Sequence, residues 1–249
     1  MEEISVFIKD YSVYIVILLS ITLCFLYFLK RKKELTNHIG VLVLLAILNT
    51  ILGVLACKAM YFIEYYIGHD FLKIPDFHLE SGFSFFGSVY FMPVYYIVLA
   101  KILKKDIKQI LNIGMPAVLI SSFCARLNCV IHGCCGGIAI GTNGWTVPTR
   151  LIELTCYVCI FIIILYKEKK NTLQPGMALP IYYMIYGIVR ALEEPFRLNY
   201  RTNSIHFGLI HSELIIMIGI VCYILFYKKN KKMIEKKDIG ESHEGRKNT

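Results

Sequence analysis

Seven apolar stretches divide this chain, over residues 11–29, 39–63, 82–103, 113–123, 151–166, 177–192 and 209–227. A helix needs about 20 apolar residues to cross the hydrocarbon core of a bilayer. In that medium each backbone N–H and C=O must find its partner inside the protein, so an isolated run of this length can cross only as a helix. The pattern predicts an all-α polytopic membrane protein with seven transmembrane helices. A transmembrane barrel would instead show short segments of alternating polarity. Hydrophobic residues make up 56% of the chain, above the roughly 45–50% of a soluble domain. The fourth stretch is the shortest. It is expected to continue into 125–131, which brings Arg126 to the membrane boundary or below it.

The charges between the runs predict an orientation. Lys30-Arg31-Lys32-Lys33 follows the first run, and four lysines between 101 and 108 follow the third. Lys167-Glu168-Lys169-Lys170 follows the fifth, and Lys228-Lys229-Asn230-Lys231-Lys232 the seventh. Loops rich in lysine and arginine stay cytoplasmic. Every odd-numbered exit is basic, so seven spans with the N-terminus outside and the C-terminus cytoplasmic satisfy all four loops. The net charge of +9 is read as topogenic charge meeting anionic lipid, with membrane lipid and no nucleic acid as partner. The start, Met1-Glu2-Glu3-Ile4, is acidic where a signal peptide is basic. Residues 1–227 are expected to form one membrane domain. Residues 228–249, polar and basic with little to bury, are expected to be a disordered cytoplasmic tail.

The loops assigned to the outer face are poor in lysine but contain arginine. Arginine there does not serve the positive-inside rule, and its planar fork suits bidentate binding of phosphate. Arg126 opens a segment that runs through Asn128, Cys129 and His132 to Gly133-Cys134-Cys135-Gly136-Gly137. A guanidinium at membrane depth costs about 2.5–3.5 kcal/mol on insertion scales. It either snorkels to the interface or serves an anion site such as a lipid phosphate. The glycines Gly133 and Gly137 allow backbone to approach a ligand closely. Vicinal Cys134 and Cys135 are poorly placed to bridge each other. The spacing of Cys129, His132, Cys134 and Cys135 matches no zinc pattern, so neither a metal nor a cofactor is expected. Cys24, Cys57, Cys156, Cys159 and Cys222 lie inside apolar runs and read as small hydrophobes.

A second group lies at the outer end of the sixth run. On a helix, Tyr186, Arg190 and Glu194 are spaced four apart and share a face, with Arg197 three residues beyond. Pro195 is expected to disturb that turn. The face offers a phenol, two cations and a carboxylate, readable either as a binding site or as an internal salt bridge that neutralises Arg190. At the start of the fifth run, Thr149 is a candidate N-cap, and Glu153 falls where negative charge favours the helix dipole.

At these residues the chain resembles the prolipoprotein diacylglyceryl transferase family, clearly from about Gly82 onward. The family signature Gly-Arg-x-Gly-Asn, continuing to an acidic residue and a glycine, is matched at Arg126, Gly133 and Gly137. Its His-Pro-Thr/Ser-Gln-Leu-Tyr-Glu pattern resembles the run from Val147 to Glu153. Its Tyr-Gly-x-x-Arg-x-x-x-Glu-x-x-Arg is matched at Tyr186, Gly187, Arg190, Glu194 and Arg197. The resemblance implies seven spans in a bacterial plasma membrane and an active site toward the outer face. It implies transfer of a diacylglyceryl group from phosphatidylglycerol to the lipobox cysteine of a prolipoprotein, with release of glycerol phosphate. Arg126, Arg190, Arg197, Tyr186, Gly133 and Gly137 would then meet the phospholipid, and Arg126, Arg190 and Glu194 would serve the reaction. The chain also departs from the family. Phe86 stands where the family has a histidine, and Ala125, Cys129 and Cys134 replace the signature glycine, asparagine and acidic residue. His132 is the candidate replacement base. The alternative is an altered homologue that binds phospholipid head groups or uses another acceptor. A transporter would show broken spans or internal repeats, and neither is visible.

Overall fold

The computed structural model describes residues 2–68, 82–134, 136–140, 145–197 and 206–245. The chain forms α1 (Glu2–Lys30), α2 (Lys32–Leu35), α3 (Ile39–Gly68), α4 (Phe86–Ile102) and α5 (Ile107–His132). A two-stranded antiparallel ribbon follows, β1 (Ala139–Ile140) with β2 (Trp145–Thr146). Next come α6 (Thr149–Lys169), α7 (Ala178–Glu193), a 3-10 turn at Glu194–Phe196, and α8 (Phe207–Gly245). Among the described residues the architecture is helical apart from this ribbon and one isolated bridge.

Five helices are long and apolar enough to span a bilayer, over Tyr11–Lys30, Ile39–Ile67, Ile107–His132, Thr149–Lys169 and Phe207–Lys231. The shorter Phe86–Ile102 is also apolar. Large aliphatic side chains point outward along these helices, among them Leu18, Leu44, Leu55, Ile162 and Leu225. A water-soluble surface does not carry so continuous an apolar coat. The protein is a polytopic membrane protein.

The fourth apolar run is the middle of a much longer helix. Asp106 caps α5, its side chain accepting the Lys108 N–H at 3.4 Å. Gly133 ends the helix in the left-handed region at φ 72°, a conformation that costs glycine little. Pro116 lies in the interior of α5, which membrane helices tolerate where neighbours satisfy the freed backbone. This helix is central. It touches α1, α3, α4, α6 and α7, and 67% of its apolar window is buried against 22% for that of α8.

A buried polar network that hydropathy does not register ties four helices together. Asn49 Nδ2 donates to Ser121 Oγ at 2.8 Å, and the Tyr96 hydroxyl donates to Asn49 Oδ1 at 2.6 Å. Ser20 Oγ lies 3.0 Å from both Thr50 Oγ1 and Ser121 Oγ. Interhelical bonds of this kind contribute on average about 0.6 kcal/mol each in lipid.

The basic ends of the helices gather together. Arg31 pairs with Glu34 at 2.9 Å and with Glu168, joining the ends of α1 and α6. Lys108 Nζ donates to Asn230 Oδ1 at 2.6 Å, joining the start of α5 to α8. Two local readings change. Thr149 is the first residue of α6 rather than its cap, which is Pro148 with no capping side chain. Where composition suggested disorder after Tyr227, α8 continues as helix to Gly245.

Candidate active site

At the opposite ends of α5, α6 and α7 from that basic junction, three arginines and three glutamates form one buried cluster. Glu153, 1% exposed, is its centre. It pairs with Arg126 Nε through Oε2. Its Oε1 lies 3.2 Å from Arg197 Nη1 and 3.6 Å from Arg190 Nε. Glu193 Oε1 accepts from Arg190 Nη1 at 2.9 Å and from Arg197 Nη1 at 3.2 Å. Glu194 Oε2 lies 2.6 Å from Arg190 Nη1 and 3.8 Å from Arg197 Nε.

The local chain explains how residues from separate elements converge. Glu153 sits about one turn into α6, and Arg126 lies on the last turns of α5. The stripe Tyr186, Arg190 and Glu194 runs along α7 as its spacing predicts, but Pro195 ends the α-helix at Glu193. The 3-10 turn that follows swings Arg197 out into extended backbone, φ −83° and ψ 143°. A bridge between Gly137 and Arg197, with the Ile138 N–H donating to the Phe196 carbonyl at 2.8 Å, holds this segment against the loop after α5. A side chain at Gly137 would put its Cβ 2.3 Å from the Val147 carbonyl oxygen. Gly137 therefore keeps this strand close, and through it positions Arg197.

Aromatic rings wall the cluster. Tyr157 and Tyr186 stack at 5.6 Å, both 1% exposed. Phe85 packs on Tyr186 at 5.7 Å and carries the Arg126 guanidinium 5.5 Å above its ring. Phe86 lies 5.4 Å beneath the Arg190 guanidinium. The expected internal salt bridge of Arg190 is present, as part of a network with three carboxylates. Each guanidinium carries five N–H donors. Pairing with glutamate fixes where these donors point.

Beside the cluster, at the start of α6, a cleft of about 300 Å³ is lined by Val130, Gly136, Gly137, Val147, Thr149 and Arg150, among others. Arg150 Nη2 lies 2.9 Å from where a Cβ on Gly136 would stand, so glycine leaves room for a half-buried cation.

The structure thus brings together Arg126, Arg190, Glu194, Arg197 and Tyr186, with Gly137 behind them. Gly133 shapes the end of α5, and a Cβ placed there would meet nothing within 4 Å. His132 does not join the cluster. It is exposed at the end of α5, and its Nε2 lies 2.6 Å from Ser12 Oγ. Cys135 lies outside the described residues. Among the described residues no group of three or more His, Cys, Asp or Glu is arranged to hold a metal ion. Locally Glu153 is a favourable charge near a helix start and Glu193 belongs to no spaced motif; the pointer to Glu153 in the sequence is that the family-like run from Val147 ends on it.

Fold and site define a polytopic membrane protein with a desolvated arginine–glutamate cluster at one end of its helices. Residues 2–225 match the family described as prolipoprotein diacylglyceryl transferase, and the chain belongs to that family. It is similar to the phosphatidylglycerol–prolipoprotein diacylglyceryl transferase of Finegoldia magna, 28% identical over 168 residues, covering 64% of this chain and 65% of that one. It is similar to the protein of the same description from Clostridium tetani, 24% identical over 194 residues, covering 70% and 75%. The Dehalococcoides mccartyi protein of that description is 22% identical over 171 residues, covering 61% and 64%. The chain thus spans just under two thirds of the first and third of these relatives and three quarters of the second.

Proposed function

We propose that the protein is a membrane-embedded transferase that moves a diacylglyceryl group from phosphatidylglycerol to the cysteine thiol of a prolipoprotein. The observation that carries this reading is the convergence of Arg126, Arg190 and Arg197 on Glu153 in a buried, aromatic-walled site. The leaving group is a phosphate ester, whose negative charge grows as the carbon–oxygen bond breaks. Fixed cations in a dry site stabilise such charge at little reorganisation cost. Glu153, Glu193 and Glu194 hold the guanidiniums in register, and Tyr186 and Gly137 shape the wall near the head group. The cleft with Arg150 gives the phosphoglycerol moiety a polar approach. Gly133 turns the chain at the mouth of the site.

In this reading the seven apolar helices, α2 aside, all cross the membrane, α4 and α7 being short and largely enclosed by neighbours. Residues 1–227 form the transferase domain, and 228–249 are a basic cytoplasmic tail. The joined lysine-bearing ends of α1, α5, α6 and α8 face the cytoplasm. The arginine cluster then opens toward the outer face of a bacterial plasma membrane, where a lipobox cysteine would arrive.

The test is an assay in membranes with labelled phosphatidylglycerol and a lipobox peptide. A thioether-linked label on the peptide is expected, and Arg190→Ala is expected to lose it while still inserting. No transfer, in membranes where an established family member is active, would overturn the reading. It would favour the second one, an altered homologue that binds phospholipid head groups or uses another acceptor. Phe86 at the place of the family histidine is the observation on that side.

A further inference from the structure

Transfer to a thiol needs a group that takes its proton. In the ion cluster the guanidiniums are donors only, and each carboxylate is paired with arginine. Phe86 has no proton chemistry, and His132 faces away at the end of α5. A different imidazole lies against the site. His211, on α8, stacks on Phe86 with ring centroids 4.7 Å apart. The same Phe86 ring carries the Arg190 guanidinium on its other contact. One turn earlier, Gly208 meets the Glu194 carboxylate so closely that an added Cβ would stand 2.1 Å from Oε1. α8 therefore sets His211 on Phe86 and Gly208 on Glu194, beside the cluster.

The surroundings of His211 suit a proton acceptor. It is 9% exposed. Glu64 Oε1, from α3, lies 3.4 Å from Nε2, and Ser84 Oγ donates to that same oxygen. A carboxylate 3.4 Å from Nε2 and a hydroxyl at Nδ1 favour the tautomer with the N–H on Nε2 and the lone pair on Nδ1. Nδ1 lies 3.2 Å from the Tyr90 hydroxyl of α4. That hydroxyl also reaches the His211 carbonyl oxygen at 3.3 Å, so it has a second acceptor when Nδ1 takes a proton. Among the described residues, Glu64 from α3 and Tyr90 from α4 stand at the ring nitrogens, Arg190 from α7 shares the Phe86 ring with it, and Glu194 meets Gly208 one turn away.

The geometry points to His211 as the general base of the transfer, in the place where family resemblance leads to Phe86. The inference rests on the transferase reading. In the step, Nδ1 accepts the proton of the acceptor thiol. The sulfur forms a bond to the glyceryl carbon that carried the phosphate. The carbon–oxygen bond breaks with its electron pair going to the phosphate oxygen, and glycerol phosphate leaves. Glu64 balances the imidazolium until the proton passes to solvent.

The experiment compares the full-length protein with His211→Asn and with Phe86→His/His211→Asn, in membranes, with labelled phosphatidylglycerol and a lipobox peptide. His211→Asn is expected to lower kcat by about 100-fold or more, with KM for the phospholipid little changed. Its residual rate is expected to climb with pH as the thiol ionises unaided. Phe86→His/His211→Asn, which returns an imidazole to the same space, is expected to recover transfer. Activity of His211→Asn close to that of the parent, or a loss confined to KM, overturns the assignment. If His211→Asn fails to insert, the double variant decides: inserted and active supports the base, inserted and inactive refutes it. A parent chain with no transfer refutes the transferase itself, whereas an active parent with an indifferent His211 refutes this inference alone.

Discussion

Glu153→Gln isolates the central carboxylate of the cluster with almost no change of shape. Three guanidiniums lie on Glu153, with Arg197 at 3.2 Å and Arg190 at 3.6 Å. The substitution leaves Arg190 and Arg197 on Glu193 and Glu194, and takes from Arg126 the carboxylate it pairs with. At an effective dielectric of about 20, a pair of unit charges 4 Å apart attracts by about 4 kcal/mol. The carboxylate's own desolvation, relieved in the variant, offsets part of what is lost. Breaking one partner out of a buried ion pair destabilises by about 3–5 kcal/mol, and that is the loss expected. Reversible unfolding in mixed micelles measures it. Arg126→Gln/Glu153→Gln restores the balance of charge, so it should cost less than the sum of the single changes by about 1–3 kcal/mol. Transfer should be lost in both variants that lack Glu153, because without it the guanidiniums no longer share one register. A Glu153→Gln protein as stable and as active as the parent, or strict additivity in the pair, would refute the claim that this residue organises the site.

Gly137→Ala would drive a Cβ to within 2.3 Å of the Val147 carbonyl oxygen; membrane insertion should persist while the transfer assay shows a large loss, as Arg197 is drawn out of place. Arg197→Lys keeps the charge but not the planar group that sets Nη1 3.2 Å from both Glu153 and Glu193 while Nε lies 3.8 Å from Glu194, so the same assay should show most of the activity gone. Asn49→Leu strands the Tyr96 hydroxyl, which now donates to Asn49 at 2.6 Å; unfolding in micelles should show about 1–3 kcal/mol of lost stability, with transfer by the folded fraction retained. His132→Asn removes a ring that meets Ser12 at the exposed end of α5, and its kcat should fall far less than that of His211→Asn.

Sequence by itself determined the class. Apolar runs long enough to cross a bilayer have only one way to satisfy their backbone, and they become α1, α3, α5, α6 and α8, with the shorter α4 and α7 formed by the other two runs. It also determined much of one face of the site. Tyr186 and Arg190 lie on α7 with Glu194 at its C-cap, and spacing along a helix is geometry that a sequence states outright. Tertiary structure decided the rest, because the remaining contacts join elements far apart in the chain. Glu153 reads locally as a residue that favours a helix dipole, and only the approach of α5 and α7 to α6 makes it the counter-ion of three arginines. Arg197 continues the α7 spacing, yet its position is set by Pro195 ending the helix and by the bridge to Gly137. Asn49 and Ser121 look like interruptions in apolar runs until α3 and α5 meet. His211 lies in the last apolar run with no motif around it, and nothing local marks it. It becomes chemically interesting only when α8 lays its ring on Phe86 and sets Glu64 and Tyr90 at its two nitrogens, a placement that depends on three helices at once.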